Sequence, residues 1–340
     1  MPFGIAVLGL DHWYTAFGVL DTAAASSRAP LVGLWDARAD RRNEIAAKYP
    51  NALVADAPDA LLEREDVSLV AVCAPTDEAV PLVQRALRAG KHVLSVKAPA
   101  RSLAELDAVL AVAEEARRAS GAFYGSFEGM QRLNPRAQKL RELLRGGAVG
   151  QPLSYHQVGH GGLPQPWPKQ TGPSWWTDAA RVPGGAWIDH ALYAVDLARF
   201  VFDGEVDRAF GIIENRVHRD LAVEDYGVAL LRLVPSAAGG ASSVSLIFED
   251  TWSSAAGGGT SRQQIIGTRG AVRPDGSDWV VSSGGAETRH PIPAGPFFDL
   301  DALAGLLENG QSPPFGPSDA RANLAACLAV YEAAARSAGT

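Results

Sequence analysis

Residues 5–18 read IAVLGLDHWYTAFG. An apolar run, Ile5 to Leu8, meets Gly9 and then a stretch able to form a helix. A dinucleotide-binding protein places G-x-G-x-x-G here: the first glycine makes a tight turn, and the helix N-terminus faces a pyrophosphate. In this chain Asp11 and Tyr14 occupy the second and third glycine positions. The stretch is either a nucleotide site with two substitutions or a strand-turn-helix that touches no phosphate. In the first case the backbone N–H groups around His12 and Trp13 make the phosphate contacts, and the His12 ring is an extra donor. Asp11 then has to turn away from the pyrophosphate or cap the helix. Tyr14 is expected to push that helix slightly off the strand.

The flanking sequence favours the nucleotide fold. Strand and helix patterns alternate: APLVGLWD ending at Asp36, RADRRNEIAAKYP, VSLVAVCAP, TDEAVPLVQRALRAG, KHVLSVKAP, SLAELDAVLAVAEEARRASG and AFYGSF. Short apolar strands between helices predict a parallel sheet covered on both faces. After NPRAQKLRELLRGGAVGQP the pattern changes to longer strands: LSYHQVGH, DRAFGIIENRV, DYGVALLRLV, ASSVSLIFEDTW, RQQIIGTRGAVRPD and DWVVSS. These suit an open, mostly antiparallel sheet. One helix, GAWIDHALYAVDLARFVF, interrupts them, and helices close the chain. The fold class expected is α/β: a doubly wound Rossmann domain over 1–125 and a second α/β domain over 126–340, its final helix free to pack back on the first.

Composition limits the function. The chain has 340 residues, 47% hydrophobic and 20% charged, with net charge −7 and pI about 5.5. Such a surface has no general attraction to nucleic acid or anionic membrane, so neither is an expected partner. Cys73 and Cys327 read as buried, inert thiols. No signal peptide or membrane-length apolar run is read, which makes the cytoplasm the expected location.

Several residues are candidates for chemistry. Asp36, at the end of the second strand, can accept both ribose hydroxyls of an adenosine and repel a 2′-phosphate, or it simply caps a turn. Arg38, Arg41 and Arg42 follow it and could instead hold a 2′-phosphate. Lys97, at the carboxyl end of a parallel strand, points to the crevice where such sheets bind ligands. Asp189, Tyr193 and Asp196 share one helical face, where carboxylate and phenol could act as an acid–base pair. His190 is turned about 100° from Asp189 and need not join them. His156 and His160 share one strand face and could bind sugar or, with Asp189 and His190 nearby, a metal; no metal is the expected outcome. Trp167, Trp175 and Trp176 could stack on sugar rings or fill a core.

Taken together, these segments resemble the glucose–fructose oxidoreductase / inositol dehydrogenase / rhizopine catabolism (Gfo/Idh/MocA) family. ALRAGKHVLSVKAPA is similar to the family's A-G-K-H-V-L-x-E-K-P, with Val96 and Ala98 at the Glu and Pro positions. WWTDAARVPGGAWIDHALYAVDLARFV resembles W-R-x-D…G-G-G-x-x-x-D-x-x-x-H-x-x-D, with Tyr193 at the histidine. NPRAQKLRELLRGGAVGQP, VEDYGVALLRL and IIGTRGAV resemble the interdomain helix and the strands of the second domain. The resemblance implies NAD as cofactor, with NADP as the alternative. It implies a sugar, cyclitol or related polyol as substrate, and a homodimer or homotetramer built through the second sheet. Lys97, Asp189 and Tyr193 are the implied catalytic residues. Gly9, Asp11, His12, Trp13, Asp36, Arg38, Ala74, Pro75 and Lys97 would line the cofactor, and His156, His160, Trp176 and His190 the substrate. Two other functions fit the same scaffold: glycoside cleavage through transient oxidation by a retained NAD, and ligand sensing without turnover.

Overall fold

The computed structural model describes residues 3–236, 242–254 and 258–338. In chain order, β1 (Gly4–Leu8), α1 (Trp13–Ala25), β2 (Leu31–Trp35), α2 (Ala39–Ala46), β3 (Leu53–Val54), α3 (Asp59–Leu62), β4 (Val67–Val72), α4 (Thr76–Arg88), β5 (His92–Ser95), α5 (Leu103–Ser120) and β6 (Tyr124–Ser126) come first. Then follow α6 (Pro135–Arg145), β7 (Pro152–His160), α7 (Ala186–Phe202), β8 (Gly204–Glu214), β9 (Tyr226–Pro235), β10 (Val244–Thr251), β11 (Thr260–Gly267), β12 (Gly270–Asp275), β13 (Asp278–Ser283), β14 (Ala286–Pro291), α8 (Leu300–Glu308) and α9 (Pro317–Ala338). The chain divides into two compact units. The first is Met1–Leu133, Gln165–Pro183 and Pro296–Arg321; the second is Asn134–Pro164, Gly184–Gly295 and Ala322–Thr340.

The first unit holds a six-stranded parallel sheet of order β3-β2-β1-β4-β5-β6. All five β1 residues are buried, as a strand covered on both faces requires. The strand order reverses between β1 and β4, so ligands belong outside the carboxyl ends of those strands. Local signals hold where they were sharp. Ser102 caps α5 by accepting the Glu105 N–H at 3.1 Å, and Gly121 closes the helix at φ +76°. Late in the sequence, α8 returns to this unit: Phe298, Leu300 and Leu303 join its core, and Glu308 meets Arg28 at 2.8 Å.

The second unit holds an eight-stranded sheet of order β14-β13-β12-β11-β7-β10-β9-β8, antiparallel except for the β7–β10 pair. One face carries α7. Its row Leu231–Leu246–Tyr155–Ile265, one residue per strand, is buried. The other face alternates outward, as the strand period of two demands: Phe210, Leu230 and Ile247 stand side by side and exposed. The run RQQIIGTRGAVRPD, read as one strand, is two: β11 and β12 turn at Thr268–Arg269. Thr268 and Arg269 donate their N–H groups to Gln151 and Val149, which takes them out of the ladder. Strand β14 was not anticipated; its mostly polar, exposed edge lacks alternation. Ala241, at the start of ASSVSLIFEDTW, lies outside the described residues. Among the described residues no helix is long and apolar enough to cross a membrane. Both cysteines are buried, and burial pushes the Cys73 thiol far up, as expected of an inert core thiol.

Candidate active site

In the first unit the turn after β1 is made by Gly9 at φ +81°, where a Cβ would stand 2.7 Å from the Ala74 Cβ and backbone N. Only glycine fits both the left-handed conformation and that approach. His12 then donates its backbone N–H to the Cys73 carbonyl at 2.9 Å, tying this turn to the end of β4. That corrects one expectation: the His12 N–H is committed to protein, so the phosphate donors have to come from the first turn of α1 beyond it. The His12 ring, fully buried, packs 4.3 Å from Tyr14 and 6.1 Å from both Trp175 and Trp176. The Tyr14 side chain is exposed, and Thr15 and Ala16 are the residues that face inward.

Asp11 neither caps α1 nor stands as a lone anion. Arg41 of α2 meets its carboxylate at 2.7 Å, and the same guanidinium lies 4.9 Å from the centre of the Trp167 ring. A charge-paired Asp11 removes most of the repulsion that an acidic residue beside a pyrophosphate would exert. Spacing could not reveal this pair, because its members lie on separate elements. Asp36 is buried at the end of β2. One carboxylate oxygen accepts the Leu10 N–H at 2.7 Å and the other the Arg38 N–H at 2.8 Å. Burial pushes this carboxyl up; the Arg38 and Leu10 N–H groups pull it down and Asp11 pushes it up further. The three arginines are all engaged: Arg38 with Asp40 at 3.2 Å, Arg41 with Asp11, and Arg42 with Asp56 at 3.2 Å and the Asp36 carbonyl at 2.7 Å.

Lys97 follows β5 and is 3% exposed. Its ammonium lies 5.5 Å from the Trp176 ring centre and 6.0 Å from that of Tyr14, within reach of cation–π attraction. Trp176 is itself buried and stacked on Trp175 at 4.7 Å. The expectation that it offers a face to a sugar is therefore corrected: Trp175 and Lys97 already use its ring. Its indole Nε1 has no hydrogen-bond partner among the described residues, nor does the buried hydroxyl of Thr76, which follows Ala74 and Pro75 at the start of α4. Buried polar groups are normally satisfied, so such orphans mark places for a ligand or water.

Residues 165–183 form a strap within this unit. Trp13 Nε1 donates to the Gln165 carbonyl at 3.2 Å, Trp167 Nε1 to Glu44 at 3.1 Å, and Trp175 Nε1 to the Asp11 carbonyl at 3.2 Å. Arg181 pairs with Asp77 at 3.1 Å and with Glu78, at the start of α4. Sequence reading recognised these indoles but not their partners, which lie more than a hundred residues away.

In the second unit α7 carries the polar cluster. Its N-terminus is fixed by Glu224, whose carboxylate accepts the Gly185 N–H at 2.9 Å, the Trp187 N–H at 3.0 Å and the Tyr331 hydroxyl at 2.7 Å. Burial pushes the Glu224 carboxyl up, and those donors pull it back. Asp189 is 5% exposed and accepts the Trp252 indole N–H at 3.0 Å. His190 lies beside it after all: its Nδ1 is 3.9 Å from Asp189 and 3.0 Å from Asp250 of β10. Tyr193 is half-buried on the same helix. Asp196 serves packing: it accepts from Asn323 of α9 at 2.9 Å, and Asn323 in turn accepts from Arg199 at 2.9 Å.

His156 and His160 do not join this cluster. They sit on the sheet face opposite α7, in register with Ile247 and Thr251; His156 bonds Ser154 at 3.0 Å and His160 approaches Glu249 at 3.5 Å. A one-residue alternation separates them from Gly159, whose neighbour Asp250 faces α7. Among the described residues no group of three His, Cys, Asp or Glu side chains is placed to hold a metal ion.

A doubly wound sheet with a glycine turn at its switch point, followed by an open-faced sheet, defines a two-part α/β class of protein. Residues 3–123 match the model of the oxidoreductase family with an NAD-binding Rossmann fold, and residues 137–273 that of the GFO/IDH/MocA C-terminal domain. The chain belongs to the Gfo/Idh/MocA family. It is 27% identical to a myo-inositol 2-dehydrogenase of Thermotoga maritima over 62% of this chain and 60% of that protein. It is 28% identical to an inositol 2-dehydrogenase of Acidothermus cellulolyticus over 85% of this chain and 76% of that one. In fold it is similar to an aldose–aldose oxidoreductase from Caulobacter crescentus solved with glycerol: TM-score 0.80 at 23% identity, over 99% of this chain and 98% of that one.

Proposed function

We propose that this chain is an NAD-dependent dehydrogenase of a sugar, cyclitol or related polyol. The observation that carries the reading is Lys97, a lysine buried at the carboxyl end of a Rossmann sheet. A lysine at that end of the sheet stands where open α/β sheets bind their ligands, within reach of an oxygen of substrate or cofactor. The first unit suits a dinucleotide: Gly9 makes the tight turn, Asp11 is neutralised, and Thr76 Oγ1 and Trp176 Nε1 are unspent polar atoms in the same unit. The first turn of α1 from Trp13 onward would hold the pyrophosphate, Asp36 and Arg38 the adenosine side, and Ala74 and Pro75 the end of β4. A bound nicotinamide supplies hydride chemistry. The chain's own part is the proton and the pose. Lys97 hydrogen-bonds the carbinol oxygen and stabilises the charge that develops there; Tyr193 exchanges the hydroxyl proton; Asp189, fixed by Trp252, orients the polar face of α7.

NAD is favoured over NADP because an acidic residue, Asp36, stands at the end of β2 and each nearby arginine already faces a carboxylate. Fluorescence titration should give NADH binding about tenfold or more tighter than NADPH, a difference on the order of 1.4 kcal/mol. A panel of inositols and aldoses with the tighter cofactor then tests turnover. Equal or reversed affinities would sink the cofactor assignment, and no binding of either would sink the whole reading.

The strap favours a second reading, transient oxidation of a glycoside by a cofactor that stays bound. Trp175 and Arg181 tie residues 165–183 to the turns after β1 and β4, where a nucleotide would enter. Its signature in the same titration is protein that purifies with nucleotide and refuses added NADH.

Assembly is proposed through the outer sheet face. Phe210 is 59% exposed, Ile212 52% and Leu230 46%, an apolar row that monomers rarely leave open. Sedimentation equilibrium should show a dimer or tetramer that Leu230→Asp converts to monomer; a wild-type monomer contradicts the assignment.

A further inference from the structure

The α7 cluster contains a pair that the proposed roles of Lys97, Asp189 and Tyr193 leave unused. His190 and Asp250 come from different elements, a helix and the strand beneath it, yet Nδ1 and Oδ2 meet at 3.0 Å. Asp250 is 5% exposed, and the neighbouring strand makes room for it: opposite stands Gly159, where a Cβ would lie 3.3 Å from its carboxylate. His190 has its side chain 50% exposed. One partner is thus a buried, fixed acidic side chain and the other an imidazole that reaches solvent. Two acidic groups face its Nδ1, Asp189 on its own helix and Asp250 on β10, and Tyr193 is a third ionisable neighbour on α7.

Such a pair fixes a tautomer. With Nδ1–H donated to Asp250, the lone pair lies on Nε2, and the carboxylate stabilises the imidazolium that forms when Nε2 takes a proton. Tyr193 follows three residues later, so the two side chains are neighbours on one helical face. A phenol with an unperturbed pKa of about 10 cannot lose its proton readily at neutral pH unless a base takes it.

We propose that His190, held by Asp250, is the proton exit of this enzyme. The inference rests on the dehydrogenase reading above. Oxidation of a carbinol breaks a C–H bond, whose electron pair leaves as hydride to the nicotinamide, and an O–H bond, whose proton must reach water. That proton passes to the Tyr193 oxygen, the original Tyr193 proton passes to His190 Nε2, and the imidazolium releases it to solvent. Reduction runs the same path in reverse. Asp250 is a positioning residue: it acts through the imidazole and never receives the proton.

The test is the pH profile of polyol oxidation, with myo-inositol and D-glucose as probes and NAD as oxidant, for wild type, His190→Gln and Asp250→Asn. In the wild type, kcat rises with pH through the imidazole range, because His190 has to be neutral to accept. His190→Gln should lower kcat at pH 7 roughly tenfold or more and abolish that rise, with partial rescue by added imidazole. Asp250→Asn should move the rise to lower pH by about one unit, because the anion that favours imidazolium is gone. NADH affinity should be unchanged in both, which separates a proton defect from a folding or cofactor defect. A His190→Gln profile that keeps the wild-type rise overturns the relay and leaves the dehydrogenase reading standing. A wild-type protein that binds NADH but oxidises neither probe removes the reading and the relay together.

Discussion

Lys97→Met is expected to lower kcat/KM for polyol oxidation by about 10²–10⁴-fold, the range for loss of a positioned acid–base group. Methionine keeps the length and most of the volume of the side chain, so the space under Trp176 stays filled. It loses the ammonium, and with it the donor to the carbinol oxygen and the attraction to the Trp176 ring, 5.5 Å away. The ring contact alone is worth about 0.5–2 kcal/mol, so it would appear as a modest stability change. Steady-state kinetics with NADH titration separates the two effects: kcat falls while NADH affinity stays within a few-fold. A variant of wild-type activity would remove Lys97 from the chemistry, and an inactive wild type with an intact ligand response would favour ligand sensing.

Gly185→Ala is expected to cost about 1–3 kcal/mol or more, the usual penalty for forcing atoms into a filled site. A Cβ on Gly185 would stand 2.1 Å from the Glu224 carbonyl oxygen and 3.1 Å from its backbone N. These are backbone atoms of the segment leading into β9, so relief means moving α7 against its sheet. The same shift would break the Glu224 bonds to the Gly185 and Trp187 N–H groups, which hold the start of the helix that bears Asp189, His190 and Tyr193. Activity should therefore fall together with the thermal midpoint. Gly18→Ala is the control: it lies within α1, and its Cβ would meet the Phe298 ring at an ordinary 3.6 Å. There alanine should be neutral or stabilise by about 0.5–1 kcal/mol, as expected inside a helix. Equal melting of Gly185→Ala and wild type would refute the packing account.

Chain pattern alone was sufficient for the alternation of strands and helices through β6, the Gly9 turn, the caps of α5 and the existence of α7. Each depends on contacts within a few residues: apolar periodicity, a cap or a terminal glycine. The β11–β12 turn was missed because its strands run through only two residues, Thr268 and Arg269, without proline or a paired Asn-Gly signal. Lys97, Asp189 and Tyr193 were legible as candidates because their positions within elements and their motif spacing are local properties.

Partnership is another matter, and the tertiary structure alone decided it. Asp11 reads as a repulsive charge until Arg41 of α2 is seen beside it, and the His12 N–H reads as a phosphate donor until Cys73 takes it. His156 and His160 read as neighbours of α7 until strand register turns them to the other face. His190, which helix geometry alone set apart from Asp189, gains its meaning from Asp250, sixty residues away. The physical reason is common to all four. Hydrogen bonds and ion pairs form between atoms about 3 Å apart, and which atoms arrive there is fixed by strand register and helix docking. Those are properties of the whole packed chain, so a local pattern can nominate a side chain but cannot name what it touches.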